Sequence, residues 1–176
     1  MIREATLSDV SRIAEIRVFV NRAKFWPIFQ DDAYSFVELQ VLPVAERYAD
    51  PAVLSGIHVC EDGGVVKGFV HVEGEEILTL YVDPFFWGQG IGSELIEFAR
   101  RNTPATFLWA LEKNDGAIRF YERHGFRLTG DRKPEEGTTE YLVRMERVEP
   151  AGRGEGAWRS STSTPRWATS SPRLPF

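Results

Sequence analysis

The chain has 176 residues, 43% hydrophobic, 27% charged and 12% aromatic, which is the size and balance of one ordinary folded domain, too apolar to stay disordered as a whole. It has no run of about 18 apolar residues to cross a bilayer and no apolar stretch after Met1-Ile2-Arg3-Glu4 to act as a signal peptide, so no membrane association and a cytoplasmic residence are expected. The single cysteine, Cys60, excludes an intrachain disulfide framework and a cysteine-built zinc site, and no metal is expected.

The net charge of -5 is unevenly spread. Residues 150–176 carry four arginines and one acid, which leaves 17 basic and 25 acidic side chains in residues 1–149. So acidic a body argues against nucleic acid as a partner and is compatible with a cationic one such as an amine, although solubility alone would explain it.

The predicted elements begin with a short strand, Ile2 to Ala5. Ser8 or Asp9 can cap a helix running to about Arg22, with Val10, Ile13, Ala14 and Ile16 forming its apolar stripe. An aromatic connector, Phe25-Trp26-Pro27-Ile28-Phe29, leads to a second helical stretch from about Asp31 to Tyr48. Three strands follow, Ile57–Glu61, Val65–Glu73 and Ile77–Val82, separated by the turn signals Asp62-Gly63-Gly64 and Glu73-Gly74-Glu75. Then the period changes. Ile91 to Arg101 reads as a helix with Ile91, Leu95, Ile96, Phe98 and Ala99 inward, and Thr106–Leu111 as a buried strand. Asn114 opens a helix to about His124, which Gly125 suits as a C-terminal cap. Phe126–Arg132 and Thr138–Arg147 are the last strands. The whole is a mixed α/β sheet.

The stretch after that last strand differs. The final 27 residues hold four of the ten prolines and eight Ser/Thr, with no apolar periodicity. Residues 1–148 therefore read as the folded domain, and 149–176 as a tail that is flexible unless it packs on a neighbour through Trp158 or Trp167.

Residues 80–93 are the most informative: Leu80-Tyr81-Val82-Asp83-Pro84-Phe85-Phe86-Trp87-Gly88-Gln89-Gly90-Ile91-Gly92-Ser93. A strand ends, glycines alternate, and a helix begins. Glycines there permit unusual dihedrals and close approach, so that successive N–H groups and a helix dipole can face one anion. The loop lacks the Gly-Lys-Ser/Thr ending of a P-loop, and it follows the fourth strand rather than the first, which disfavours a Rossmann site. A plain connector without a ligand is the alternative. The second informative stretch, Asn114-Asp115-Gly116-Ala117-Ile118-Arg119-Phe120-Tyr121-Glu122-Arg123-His124-Gly125-Phe126, joins a helix to a strand. Taken locally, Asn114 is an N-cap and Tyr121 a half-buried aromatic.

Together, in this order and about 25 residues apart, the two stretches resemble the GNAT superfamily of acyl-coenzyme A-dependent N-acetyltransferases over about residues 2–147. The family's loop pattern, Gln/Arg-x-x-Gly-x-Gly/Ala, falls on Trp87-Gly88-Gln89-Gly90-Ile91-Gly92. Both required glycines match, while Trp87 stands where the family has Gln or Arg, which puts a polar role for that side chain in doubt. The resemblance implies a centrally splayed sheet of about seven strands flanked by about four helices, with a V-shaped gap between the fourth and fifth strands. It implies acetyl-CoA as cosubstrate. The backbone of Leu80, Tyr81 and Val82 would meet the pantetheine arm, and the run Trp87, Gly88, Gln89, Gly90, Ile91, Gly92 and Ser93 the pyrophosphate. Asn114, Ala117 and Tyr121 would lie along the same ligand.

For the chemistry, the resemblance implies direct attack of a neutral amine on the thioester. Tyr121 matches the family's usual acid for the departing sulfur. Glu76 is preferred as base, because some members carry a glutamate at that offset. Glu73, Glu75 and His71 compete with it, as does a water chain with no single base. Strand alternation places Glu76, Leu78 and Leu80 on one face and Ile77, Thr79 and Tyr81 on the other. The acceptor pocket would be walled by Phe25, Trp26, Phe29, Tyr34 and Trp109, near Asp31, Asp32 and Phe36, where aromatic faces and acids suit an ammonium. The acceptor is a primary amine, small or peptidic. A homodimer through the last strands is admitted. A non-catalytic acyl-CoA-binding domain is the second reading, and an acetyltransferase acting on charged tRNA the third, which the acidic body disfavours. Cys60 lies well before the loop, so a cysteine-acyl intermediate has little support.

Overall fold

The structure, a computed structural model, describes residues 1–148; the tail expected over 149–176 lies outside the described residues. Seven strands form one sheet: β1 (Ile2–Glu4), β2 (Ile57–Asp62), β3 (Val65–Glu73), β4 (Glu76–Val82), β5 (Phe107–Leu111), β6 (Phe126–Pro134) and β7 (Tyr141–Arg147). Their order across the sheet is β1-β2-β3-β4-β5-β7-β6, with every pair antiparallel except β4 and β5. The helices are α1 (Val10–Val20), α2 (Trp26–Phe29), α3 (Val41–Tyr48), α4 (Pro51–Leu54), α5 (Ile91–Asn102) and α6 (Asp115–Arg123).

The sheet separates two apolar clusters. On one face α1 and α3 bury Ile13, Ile16, Val18 and Val44 against Val59, Phe69, Tyr81, Leu111 and Leu142. On the other, α5 buries Ile91, Leu95, Ile96 and Ala99 against Val70, Leu108, Phe126 and Met145. Alternation along β2 and β3 sends neighbours such as Phe69 and Val70 to opposite faces.

The first half is more broken than the sequence suggests. The helix expected to reach Arg22 ends at Val20 and widens into a π-turn over Asn21–Phe25, closed by the Trp26 N–H bonding the Asn21 carbonyl. Pro27 explains the widening: it has no N–H to return to Ala23, and its ring crowds that carbonyl. The helix expected over Asp31–Tyr48 is two pieces, a π-turn over Ala33–Glu38 and then α3, with Leu39 and Gln40 extended between them. Pro43 again supplies the reason, since its ring conflicts with a helical carbonyl four residues back, at Leu39. The first helix starts as expected, with Asp9 as its N-cap, and a 3₁₀ turn precedes it. Thr6 caps a 3₁₀ turn over Leu7–Asp9, and Asp9 is buried against Arg3 at 2.8 Å. At the other end, Gly130 at φ 93 marks an irregularity between Leu128 and Arg132 that lets β6 continue to Pro134. The final strand begins at Tyr141, not Thr138, because residues 135–140 form a turn in which the Thr138 hydroxyl bonds Glu135 O and the Glu140 N–H bonds back to Thr138.

Candidate active site

The gap that matters is cut by how little β4 and β5 touch. They pair only through Glu76 with Phe107 and Ile77 with Leu108, after which the strands diverge. A bulge opens the same region from the other side: His71 of β3 faces Thr79, but the next residue, Val72, faces Ile77, so Leu78 has no partner on β3. The bulge corrects the expected alternation. Ile77 packs in the α5 cluster with Leu80 and Val82, whereas Tyr81 packs in the α1 cluster, so Ile77 and Tyr81 do not share a face.

A cavity of about 710 Å³ fills the gap. Its floor is Leu78 through Val82 of β4 and Trp109, Ala110 and Leu111 of β5. One wall is the glycine loop with the first turn of α5, and another is α6, which presents Gly116, Phe120 and Arg123 at near-helical spacing. Val20, Lys24 and Phe25 close it from the α1 side.

The loop geometry follows from its residues. Asp83, fully buried, accepts hydrogen bonds from the Phe85 N–H at 2.8 Å and from the Arg12 guanidinium at 2.5 Å, which fixes where the loop leaves β4. Gly88 and Gly90 take left-handed dihedrals, φ 76 and 84, and Gly90 is the N-cap of α5. Gly92 serves a different need: a Cβ there would touch the Phe120 ring at 3.4 Å, so its bareness lets α5 sit close to α6. Asn114 caps α6 by accepting from the Ala117 N–H at 3.1 Å. Trp87 lays its indole over the end of β4 and donates from Nε1 to the Val82 carbonyl at 2.7 Å.

Of the residues expected to hold the coenzyme, Leu80, Tyr81, Val82, Trp87, Gly88, Gly90, Ile91, Gly92, Ser93, Asn114, Ala117 and Tyr121 all line the cavity; Gln89 is exposed outside it. Tyr121 stands half-buried between Phe120 and Phe126, and burial raises its phenol well above the ordinary range. Of the five acceptor aromatics, Phe25 and Trp109 line the cavity. Trp26, Phe29 and Tyr34 do not: Trp26 donates to Asp32 at 2.8 Å, Phe29 stacks on Phe25 at 6.3 Å, and Tyr34 packs against the α1 core. Glu76 sits on the first of the two paired rungs, one residue before Ile77 and below the cavity floor. His71 lies on β3 against Tyr48, held down to a pKa of about 4 by burial and by the charges of Arg17 and Arg47. Cys60 is buried in β2 beside Glu94, its thiol pushed up by burial and by that carboxylate.

Sequence reasoning missed Lys24, Phe120 and Arg123 as lining residues. The last two carried a usable signal, since with Gly116 they recur on one helical face. Among the described residues, the lining holds two cations, Lys24 and Arg123, and no Asp or Glu, within a body whose charge is strongly acidic.

Residues 54–128 match the family model described as an acetyltransferase (GNAT) domain. Over that stretch the chain is similar to the GNAT acetyltransferases. It is 40% identical over 63 residues to the peptidyl-lysine N-acetyltransferase YjaB of Salmonella typhimurium, a match spanning 36% of this chain and 43% of that one. It is 25% identical over 181 residues to the peptidyl-lysine N-acetyltransferase YiaC of Escherichia coli, spanning 98% and 97%. In fold it is similar to the solution structure of apo YjaB from Escherichia coli, with a TM-score of 0.65 at 21% identity, covering 85% of this chain and 98% of that one. The mixed seven-strand sheet of this chain is thus similar in fold to that neighbour. Among the described residues, no helix is long and apolar enough to cross a membrane, and no three His, Cys, Asp or Glu side chains gather for a metal ion.

Proposed function

We propose that the protein is an acyl-CoA-dependent N-acetyltransferase that moves an acetyl group to a primary amine by direct attack within the cavity. The observation that carries this reading is the acid-free lining, where glycine-loop N–H groups and two cations face a gap whose floor is unpaired strand backbone. Such a lining suits a long, apolar-necked ligand ending in phosphates. The residues fit that ligand in detail. Gly88 and Gly90 leave the loop amides bare, and Leu78–Leu80 have no β5 partner for their backbone.

Tyr121 holds a proton at the cavity wall. Because burial keeps its phenol above a thiol's ordinary pKa of about 8.5, its contribution is a hydrogen bond to the sulfur as negative charge develops, more than early proton loss. Phe25 and Trp109 flank the acceptor end, where their rings can guide an ammonium before it is deprotonated. Glu76 stands below the floor, so as a base it acts through intervening water. The peptidyl-lysine activity named for two relatives makes a lysine side chain of a peptide the first acceptor to try.

Thiol release from acetyl-CoA across a panel of lysine peptides, polyamines and amino acids tests the reading. Tyr121→Phe should lower kcat by about 10²-fold or more while coenzyme A affinity changes little. Turnover unchanged across pH would remove the acid role. Tight acetyl-CoA binding with no release on any amine would favour the non-catalytic binding domain instead.

A further inference from the structure

The departure at Trp87 leaves the family's loop without its usual polar side chain, and the structure offers a replacement from across the cleft. We infer that Lys24 is a phosphate-binding residue of this site, directed at the pyrophosphate of the acyl-CoA and presented to it by Trp87. The inference rests on the acyl-CoA reading above.

Lys24 lies in the π-turn between α1 and α2, remote in sequence from the glycine loop. The extra residue of that turn sends Phe25 inward, where it packs on Tyr81 at 5.9 Å, and leaves Lys24 at the cavity rim. Its ammonium sits 4.4 Å from the centre of the Trp87 ring. Among the described residues no carboxylate pairs with Lys24, so its ammonium is held at the rim by the Trp87 ring. Trp87 is itself fastened, through Nε1 to the Val82 carbonyl at 2.7 Å. The indole thus holds the ammonium beside Gly88, on the loop whose amides face an anion.

A cation–π contact at a partly exposed ring is weak, whereas an ammonium–phosphate contact is charge-assisted and stronger. An arriving pyrophosphate would therefore draw Lys24 off the ring at little cost. A Gln or Arg at position 87 would offer a polar group beside the loop amides, as the resembling family's loop pattern does. Trp87 cannot, and Lys24 takes over that task.

The test is calorimetric titration of the full-length protein and its Lys24→Met variant with three ligands: coenzyme A, 3′-dephospho-coenzyme A, and S-acetylpantetheine, which has no pyrophosphate. Expected is about tenfold weaker binding of the first two by the variant and no change for the third. Lys24→Arg should restore most of the affinity. Trp87→Gln introduced into Lys24→Met should also recover most of the loss. Equal binding of coenzyme A by wild type and Lys24→Met would overturn the inference while leaving the acyl-CoA reading intact. A loss seen with coenzyme A but not with the dephospho form would overturn it too, by moving the contact to the 3′-phosphate. Failure of the wild-type protein to bind coenzyme A at all would overturn both.

Discussion

Asp83 is where the fold and the site meet, and its replacement has a calculable result. The side chain is 2% exposed and accepts two bonds: from Arg12, at 2.5 Å, and from the Phe85 N–H, at 2.8 Å. Asp83→Asn keeps an oxygen for the Phe85 amide but removes the charge that Arg12 faces. Hydrogen bonds to charged groups contribute about 1.5–3 kcal/mol. Arg12 retains Glu15 at 2.5 Å and is 27% exposed, so the guanidinium is not stranded, and the lower part of that range, about 2 kcal/mol, applies. Asp83→Ala also loses the cap, worth about 1 kcal/mol more. Urea unfolding should place the midpoints in the order wild type, Asp83→Asn, Asp83→Ala, with unchanged slope. Because one partner is buried, the Asp83→Asn deficit should persist at high salt. Unfolding free energies of both variants within about 0.5 kcal/mol of wild type would refute the idea that this pair anchors the loop.

Gly68→Ala should be damaging although glycine is not there for its dihedral: a Cβ would come within 2.7 Å of the Tyr81 carbonyl and 3.2 Å of Leu95, pushing β4 into the cavity. A loss of about 1–3 kcal/mol, read as a lower melting temperature together with weaker coenzyme A binding, is expected, and a wild-type melting temperature would contradict it. His71 should make stability pH-dependent. Its folded pKa of about 4 lies below its ordinary 6.5, so the unfolded chain binds more protons between those values. Stability is then complete above about pH 6.5 and declines by up to about 3 kcal/mol as pH falls towards 4. His71→Gln should flatten that window, and an unchanged slope in denaturation at pH 7 and pH 5 would count against it. Glu76→Gln should lose less than about tenfold in kcat at neutral pH, because its position below the floor makes it replaceable by water; a pH profile losing its acidic limb would instead give it the base role.

Much of the glycine-loop side of the cavity was legible in the residue order because its requirements are local. A left-handed turn wants Gly88 and Gly90, a helix start wants the Asn114 cap, and an amphipathic α5 wants Ile91, Leu95, Ile96 and Ala99 on one stripe. Each preference acts within a few residues, so each could be read before any contact was known. The aromatic side of the cavity was less legible. Five aromatics looked equally suited to it, yet only Phe25 and Trp109 reach the cavity, since Pro27 and Pro43 break the helices and redistribute the others.

The sequence by itself determined the succession of strands and helices along the chain, the left-handed glycine loop after β4 and the Asn114 cap of α6, all set by dihedral and capping demands of neighbouring residues. Only the tertiary structure decided the bulge at Leu78, the divergence of β4 from β5, and the meeting of Lys24 with Trp87 across the cleft. Those depend on which distant segments pack together, and no period or propensity along the chain encodes a partner on another strand.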